Sequence, residues 1–272
     1  MPELPEVETT RLGITPHVVG RKMNEIIVRR YDLRLPISED LETLVGFSFL
    51  NVRRRSKYLL LETDDERVLL IHLGMSGSLR IAAAGDEWKK HDHLGISLEG
   101  GMQLRYHDPR RFGMVLLFPK SELGAHKLLK DLGPEPLDSG FDAAHLLSAL
   151  ERKSIPIKTA IMDAKIVVGV GNIYASESLF RSGISPLLPA NQLTKSAAKR
   201  LVKAIKETLT ESIQEGGTTL RDFLKSDGEP GYFKQRLFVY GRKGEACRVC
   251  GTEIAHAVLA QRATFWCPNC QP

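Results

Sequence analysis

The chain has 272 residues, of which 42% are hydrophobic and 26% charged, a composition typical of a globular protein with one large domain or two ordinary ones. Its longest apolar runs, such as Val68–Ile71 and Met114–Phe118, have the length of a strand and are too short to cross a bilayer. The acidic segment Met1–Glu6 lacks the basic and apolar regions of a secretory signal. We therefore expect a cytoplasmic protein.

The formal net charge is +5, and most of the excess lies near the C-terminus. Residues 234–272 contain six Lys or Arg side chains and two Glu side chains. Net charge alone decides little, but such a local concentration of cations predicts a polyanionic partner.

The first 118 residues predict one helix followed by short strands. Residues 5–17 begin with glutamates, which favour a helix N-terminus because the helix dipole stabilises negative charge there. The segments that follow are rich in branched and aromatic residues, and the pairs Asp64-Asp65 and Gly100-Gly101 predict hairpin turns. This spacing predicts an antiparallel sandwich or barrel. The predicted strands are Ile26–Val28, Phe47–Val52, Tyr58–Leu61, Val68–Ile71, Leu94–Leu98 and Met114–Phe118.

After a linker-like break at Leu132–Pro136 the pattern becomes helical. The clearest helix covers residues 195–214, where apolar side chains recur at every fourth position and Thr194 can cap the start. That apolar stripe indicates core packing. Residues 217–233 lack periodicity and predict a loop. The other predicted helices are His145–Leu150, Pro156–Lys165 and Ile173–Arg181.

All four cysteines lie in the last 26 residues, as two Cys-x-x-Cys pairs separated by 16 residues. Four thiolates on two tight knuckles can complete a closed tetrahedral Zn²⁺ site, which is structural in kind. Two disulfides are the alternative, and a reducing cytosol disfavours them. The pattern therefore predicts one structural Zn²⁺ held by Cys247, Cys250, Cys267 and Cys270, with Arg262 near the tip of the intervening hairpin.

Other features leave alternatives open. Removal of Met1 would expose the secondary amine of Pro2, a usable nucleophile near neutral pH, yet many proteins begin Met-Pro. The turn His107–Gly113 places an aromatic side chain among cations, which suits contact with phosphates and a base stack, although charge runs usually face solvent. Gly169–Tyr174 lacks the lysine of a nucleotide-binding loop and predicts a helix N-terminus able to hold a DNA phosphate.

Taken together, segments along the whole chain resemble formamidopyrimidine-DNA glycosylase, also called 8-oxoguanine DNA glycosylase. No single segment decides the match, but their joint occurrence in order leaves little room for another family. The matching segments are PELPEVET (2–9), RRRSKYLLLE (53–62), HLGMSGSLR (72–80), HDH (91–93), YHDPRRFG (106–113), LGPEPL (132–137), VVGVGNIYASESLF (167–180), GGTTLRDFL (216–224), DGEPGYF (227–233), VYGRKGEACRVCG (239–251) and QRATFWCPNCQ (261–271).

The resemblance implies an α+β multidomain fold. It predicts an N-terminal antiparallel β-sandwich with a flanking helix (residues 1–131) and a helix–two-turns–helix domain (132–233) that includes a lesion-covering loop (217–233). A C-terminal zinc-finger β-hairpin (234–272) follows. The implied protein is a monomer that binds double-stranded DNA containing an oxidised purine or an abasic site, and it would be nucleoid-associated when bound.

The implied function is that of a bifunctional DNA glycosylase and abasic-site lyase of base excision repair, acting on 8-oxoguanine and formamidopyrimidines. Pro2 matches the nucleophile that forms a Schiff base, and Glu3 matches the acid that assists sugar-ring opening and base loss. Lys57 matches the lysine of proton transfer in β-elimination. Arg262 matches the finger-tip arginine that binds phosphate and assists δ-elimination.

The resemblance also implies a DNA-contacting set. Met75, Arg110 and Phe112 match the trio that fills the space left by the extruded nucleotide. Glu177 is placed near the lesion pocket, and Arg152 could replace Lys153 as a backbone contact. The positions that match DNA contacts are His72, His91, Arg110, Lys153, Lys158, Asn172 and Tyr240.

Two other functions compete with this interpretation. The sister enzyme endonuclease VIII removes oxidised pyrimidines with the same nucleophile, but the complete trio and the long loop at 217–233 favour the purine-specific branch. A non-catalytic zinc-ribbon DNA-binding protein is the second, and the joint presence of Pro2, Glu3, Lys57 and Arg262 is evidence against it.

Overall fold

The computed structural model describes residues 2–218 and 236–272. These residues form two compact units, unit 1 (residues 2–130 and 215–218) and unit 2 (residues 131–214 and 236–272). The predicted three-domain boundaries are not tested by this division and stay a prediction. Most of the predicted loop 217–233 lies outside the described residues. Within the described ranges no helix is long and apolar enough to cross a membrane.

Unit 1 begins with a helix and continues with eight strands. Helix α1 covers Leu4–Val18, close to the predicted range, with Glu3 at its N-cap position. Both predicted hairpin turns are present, since Asp64-Asp65 lies between β3 and β4 and Gly100-Gly101 between β6 and β7. The strands are β1 (Met23–Val28), β2 (Phe49–Arg55), β3 (Tyr58–Thr63), β4 (Arg67–His72), β5 (Ser78–Ala83), β6 (Asp92–Leu98), β7 (Met102–His107) and β8 (Met114–Pro119).

The strands of unit 1 form two antiparallel four-stranded sheets, in the orders β1-β6-β7-β5 and β2-β3-β4-β8. Apolar side chains of both sheets, such as Leu61 and Ile71 of one and Ile96 and Leu104 of the other, share a single buried core. Burial of such side chains is the main stabilising contribution to a sandwich. The predicted antiparallel sandwich is confirmed.

Strands β5 and β7 are the two that the hydrophobic pattern does not predict. Strand β7 contains Arg105, which is fully buried. Its guanidinium donates to Gln103 Oε1 at 2.6 Å and to the backbone carbonyls of Asp86 and Glu87 at 2.6 and 2.9 Å. A buried guanidinium is tolerated because its N–H donors find acceptors. In the sequence, however, the charged residue interrupts the apolar pattern that would indicate a strand.

Unit 2 is mainly helical and ends in a β-hairpin. The predicted helix Pro156–Lys165 is too long, because the helix ends at Ile161 and Asp163 Oδ1 accepts from the backbone N–H of Lys165 at 3.0 Å, which closes a turn instead. The expected α+β fold class is confirmed. The elements of unit 2 are α2 (Ala143–Leu150), α3 (Ile157–Ile161), α4 (Asn172–Ser182), α5 (Lys195–Gln214), β9 (Ala255–Leu259) and β10 (Arg262–Trp266).

Asp92 is a buried carboxylate at the start of β6. Arg80 donates to both of its oxygens at 2.7 and 2.5 Å, and the ring Nδ1 of His107 lies 2.9 Å away. Burial raises the pKa of Asp92, but Arg80, the backbone N–H of Lys89 and His107 outweigh it and lower the pKa to about 2. A carboxyl whose pKa falls on folding stabilises the fold when ionised.

We predict that Asp92→Asn destabilises the protein by about 2 kcal/mol near neutral pH, since a shift from 3.8 to about 2 corresponds to that free energy. The difference from the wild type should be full above pH 5 and disappear as the pH falls through 4 toward 2. Urea unfolding at pH 7 and at pH 3 measures it. Asp32→Asn is the control, because Asp32 is solvent-exposed and its ion pair contributes little. A pH-independent difference would contradict the assignment.

Candidate active site and nucleic-acid interface

The predicted nucleophile lies in a buried corner of unit 1. Pro2 is buried, and Glu3 and Glu6 are 3% and 2% exposed. The Glu6 carboxylate accepts from the backbone N–H of Glu3 at 2.8 Å and, through its other oxygen, from the backbone N–H of Thr218 at 2.8 Å. Glu6 thus ties the start of α1 to the first residues of the predicted lesion-covering loop. Gly217 permits this approach, because its backbone has φ +84° and a Cβ there would lie 3.1 Å from the Glu6 carboxylate.

Lys57 stands at a two-residue turn between β2 and β3, where Arg55 pairs with Tyr58. The turn requires a left-handed backbone at Ser56, whose φ is +56°. Arg54 donates to the backbone carbonyl of Ser56 at 3.0 Å and to the Glu8 carboxylate at 2.9 Å. The helix that carries Pro2 and Glu3 is therefore joined by an ion pair to the turn that carries Lys57.

His72 lies beside Lys57 at the end of β4. Burial, reinforced by the positive charges of Lys57 and Arg34, lowers the pKa of His72 to about 4. The imidazole is therefore neutral at physiological pH. Its Nδ1 accepts from the backbone N–H of Gly74 at 3.1 Å, which leaves the proton on Nε2. A neutral ring with a donor at Nε2 can bind a phosphate oxygen without adding a charge next to Lys57.

Met75, Arg110 and Phe112 are brought together by two loops of unit 1. The loops approach so closely that a Cβ at Gly74 would lie 2.4 Å from the backbone of Phe112. The guanidinium of Arg110 lies 5.1 Å from the centroid of the Phe112 ring, which is 43% exposed. The arrangement presents a cation and an aromatic ring side by side, as the resemblance implies.

Asp108 organises these two loops, a role that the sequence analysis missed. It is fully buried, and its carboxylate accepts from Ser76 Oγ at 2.7 Å, from the backbone N–H of Gly113 at 2.9 Å and from Tyr106 Oη at 3.1 Å. Ser76 in turn accepts from the backbone N–H of Arg110 at 3.2 Å. No local signal identifies this contact, because Ser76 and Asp108 are 32 residues apart.

His91, predicted to contact the DNA backbone, is half-buried at the edge of unit 1. Its ring centroid lies 5.9 Å from that of His107 and 6.3 Å from that of His93. His93 is buried, and its Nε2 donates to the backbone carbonyl of Asp108 at 2.8 Å. The histidine cluster therefore adjoins both Asp92 and the Asp108 loop.

Lys158, predicted to contact the DNA backbone, is buried in unit 2, and that contact stays a prediction. The residue is 1% exposed, and its ammonium donates to Asn172 Oδ1 at 2.6 Å, to the backbone carbonyl of Ala263 at 2.8 Å and to Thr264 Oγ1 at 2.9 Å. The side chain joins α3, the start of α4 and strand β10. The structure thus places Lys158 as an internal cross-link that orients Asn172, not as a surface cation.

Asn172 and Tyr240, both half-buried, lie close together, with the amide nitrogen of Asn172 3.4 Å from Tyr240 Oη. The carboxylate of Glu177 points at the segment that carries Tyr240, and its predicted place near the lesion pocket stays a prediction. The carboxylate accepts from the backbone N–H groups of residues 238, 239 and 240 at 2.8, 3.0 and 2.9 Å. Burial raises the pKa of Glu177, whereas these three donors favour the charged form. The residue therefore fixes Tyr240 by holding its backbone.

Lys153 and Arg152 lie on the surface of unit 2, and Lys153 Nζ is 4.0 Å from the Asp163 carboxylate. The structure does not decide which of the two side chains contacts DNA. Arg262 is exposed at the start of β10, directly after a hairpin turn in which Ala260 and Gln261 have φ of +44° and +61°. Its predicted position at the finger tip agrees with this location.

The four cysteines converge on one point. Their sulfur atoms all lie within 4.8 Å of one another, and the pairs Cys247–Cys270 and Cys250–Cys267 are 3.9 and 3.5 Å apart. A tetrahedral Zn²⁺ with Zn–S bonds of about 2.3 Å places its sulfurs about 3.8 Å apart. The arrangement fits a single closed Zn²⁺ site, which confirms the predicted structural zinc. Bound there, the metal would hold the hairpin that carries Arg262.

Comparison with known proteins decides the family. A model of the formamidopyrimidine-DNA glycosylase N-terminal domain matches residues 1–115, a model of its H2TH domain matches residues 132–224, and a zinc finger found in FPG and IleRS matches residues 244–272. The formamidopyrimidine-DNA glycosylases of Xanthomonas axonopodis pv. citri and Xanthomonas campestris pv. campestris are 53% and 52% identical to the chain over all 272 residues, each chain being covered in full.

The chain belongs to the formamidopyrimidine-DNA glycosylase family. Solved structures of the family agree with its fold. The MutM (Fpg) protein of Thermus thermophilus is 39% identical, with a TM-score of 0.89 over 99% of this chain and 98% of that one. A Lactococcus lactis Fpg variant in complex with Fapy-dG-containing DNA is 36% identical, with a TM-score of 0.93 over 99% of both chains. The predicted family is confirmed, whereas the predicted roles of individual residues remain untested.

We predict that Glu177→Gln weakens binding to duplex DNA, because an amide places its N–H₂ group against backbone N–H donors and releases Tyr240. Binding to DNA with a stable abasic-site analogue measures the effect, and the zinc content should stay at one per chain. Glu211→Gln is a matched control on α5, because Glu211 is partly exposed and accepts only from the side chain of Arg181 among the contacts described. Equal losses for the two variants would argue against the assignment.

Loss of the Zn²⁺ site should lower DNA affinity as well. We predict that Cys267→Ser, which removes a fully buried ligand, abolishes zinc binding and weakens DNA binding through loss of the finger. Val249→Ser, a substitution at an exposed position on the other knuckle, between Cys247 and Cys250, should leave both unchanged. Metal analysis combined with DNA titration tests this, and undiminished binding without zinc would refute it.

Proposed function

We propose that the chain is a bifunctional DNA glycosylase and abasic-site lyase that excises oxidised purines, with Pro2 as nucleophile. The observation that carries the proposal is the ion pair of Glu8 with Arg54, which joins helix α1, preceded by Pro2 and Glu3, to the turn that carries Lys57. Curated relatives more than half identical over the full length are named for this glycosylase activity. We further propose that the reaction takes place in the cytoplasm, on the DNA of the nucleoid.

The chemistry requires Met1 to be removed, so that Pro2 has a free secondary amine. The amine attacks the anomeric carbon, the bond to the damaged base breaks, and the base leaves with a proton that Glu3 supplies. The sugar ring then opens: the bond between the anomeric carbon and the ring oxygen breaks, the nitrogen lone pair forms an iminium, and the ring oxygen takes up the proton that the attacking amine released to Glu3. The iminium withdraws electrons, which acidifies the neighbouring sugar carbon. Lys57 then carries the proton in β-elimination of the 3′ phosphate. Arg262 binds phosphate during δ-elimination of the 5′ phosphate, which leaves a one-nucleotide gap.

The surrounding residues bind and orient DNA. Neutral His72 and the pair of Asn172 with Tyr240 donate to backbone phosphates. Met75, Arg110 and Phe112 fill the space that the extruded nucleotide leaves, because an exposed aromatic ring stacks on bases and the adjacent guanidinium donates to cytosine.

Oxidised pyrimidines are a second candidate substrate. A relative from Lactococcus lactis, 36% identical, has been solved with oxidised-pyrimidine-containing DNA. Both lesion classes can share the Pro2 chemistry, since the anomeric carbon is the same. Single-turnover excision of 8-oxoguanine and of an oxidised pyrimidine in matched duplexes separates the two, and we expect the purine to react faster.

We predict that Pro2→Gly abolishes or greatly weakens base excision while zinc binding is retained. The assay incubates enzyme with duplex DNA carrying one 8-oxoguanine opposite cytosine in the presence of borohydride, which reduces the imine to a stable crosslink. Mass mapping should place the crosslink on Pro2 in the wild type.

Pro16→Ala is the control for this variant, since it alters an exposed proline in the last turn of the same helix. It should crosslink as the wild type does. Unchanged excision by Pro2→Gly would contradict the assignment of Pro2 as the nucleophile. Absence of any crosslink in wild-type protein that lacks Met1 and holds zinc would favour the non-catalytic DNA-binding alternative.

A further inference from the structure

Unit 1 carries a positively charged groove beside the candidate active site. It has a volume of about 400 Å³, and His91 is one of the residues that line it. Its cationic lining comes from three separate parts of the chain. The side chains are Arg29 and Arg30 after β1, Lys90 before β6 and Arg111 in the loop that presents Phe112.

The carboxylates of this region do not cancel these charges. Asp92 also lines the groove, but its carboxylate is fully buried and engaged by Arg80 and His107. Asp32 is exposed and pairs with both Arg30, at 2.6 Å, and Arg111. It therefore holds two guanidinium groups together while it neutralises only one positive charge. The groove keeps a net positive charge, which favours an anionic ligand.

The groove is also held in shape before any ligand binds. The guanidinium of Arg29 lies 5.2 Å from the Trp88 ring centroid, and that of buried Arg105 lies 4.7 Å from it. The ring packs on Gly95 of β6, where a Cβ would lie 2.4 Å from it. Arg105 also binds the carbonyls of residues 86 and 87, so the segment that ends at Lys90 is fixed on the sheet. Such preorganisation lowers the entropy lost on binding.

We propose that Arg29, Arg30, Lys90 and Arg111 bind backbone phosphates of duplex DNA, which extends the DNA-binding surface past His91. The inference rests on the proposed function for the identity of the polyanion. Guanidinium groups suit phosphate because they donate two parallel hydrogen bonds. In the free protein the Asp32 carboxylate forms ion pairs with Arg30 and Arg111, and a DNA phosphate replaces the carboxylate on binding. Asp32 is thus a competing anion built into the site.

Two groove variants test the proposal through salt dependence. Arg30→Gln and Lys90→Gln should each weaken binding to a duplex that contains a stable abasic-site analogue. The slope of log affinity against log salt concentration should fall by about 0.9 for each phosphate that the variant no longer neutralises. Arg21→Gln is the matched control, because Arg21 lies beyond the opposite end of β1 and donates only to the Glu99 carbonyl among the contacts described. It should leave the slope unchanged.

Asp32→Asn should act in the opposite direction and tighten DNA binding, since it removes the competing carboxylate. Tighter binding would show that the loss of the charge, and not misfolding, causes the change, because a misfolded variant can only bind DNA more weakly. Inorganic phosphate is added in parallel titrations. If low millimolar phosphate protects the groove from DNA in the wild type, a free-phosphate site replaces the proposal. Unchanged slopes for Arg30→Gln and Lys90→Gln, an equal loss for Arg21→Gln, or no gain for Asp32→Asn would also overturn it.

Single-turnover excision at saturating enzyme keeps this test independent of the proposed chemistry. The groove does not hold Pro2, Glu3 or Lys57, and the excision rate of the wild-type protein is measured separately from the salt dependence of the groove variants. If the wild-type protein excises no lesion but the salt-dependence slopes of the groove variants change as expected, the groove proposal is supported and the glycosylase proposal is contradicted. If excision is normal and the salt-dependence slopes of the groove variants equal that of the wild type, the glycosylase proposal is supported and the groove proposal is contradicted.

Discussion

The functional side chains stand mostly on loops and turns, and the backbone N–H groups of those segments need acceptors when they are buried. In three places a buried carboxylate supplies them. Asp108 holds the loops that carry Met75 and Phe112, Glu6 holds the N-terminus and Thr218, and Glu177 holds residues 238–240. Each of the three is at most 2% exposed. Removal of one would leave several donors unpaired at once, at a cost of about 1–3 kcal/mol for each donor that stays buried.

The charges of the candidate site residues are arranged in a way that suits DNA binding. The site needs cations for phosphates, yet cations placed side by side repel. Burial keeps His72 neutral next to Lys57, and the Lys158 ammonium donates to three uncharged oxygen acceptors inside unit 2. The exposed cations Arg110 and Arg262 are carried on a loop and on a hairpin, away from these buried groups. Positive charge is thus presented where a polyanion can reach it.

The sequence predicts most elements because their hydrophobic periodicity is local. Six of the eight strands of unit 1 and the four predicted helices of unit 2 are present, and the cysteine spacing alone indicates the Zn²⁺ site. The failures have a common cause. Strand β7 is not predicted because Arg105 interrupts its apolar pattern, and two of the acceptors of Arg105 lie at residues 86 and 87. The role of Asp108 depends on Ser76, 32 residues away. The bonds of Lys158 to residues 263 and 264 likewise join segments that are about 100 residues apart, so no local pattern indicates them.

The cross-link through Lys158 bears on what the zinc finger does. Thr264 and Ala263 lie on β10, directly after Arg262, and both bind the same ammonium that orients Asn172. Gln271, beside the last zinc ligand, donates to the Ile184 carbonyl just after α4 and accepts from the backbone N–H of Cys267. The finger is therefore joined to both ends of α4, through Lys158 at Asn172 and through Gln271 at Ile184. Zinc that orders the finger also fixes the start of α4, so metal loss should disturb Asn172 as well as Arg262.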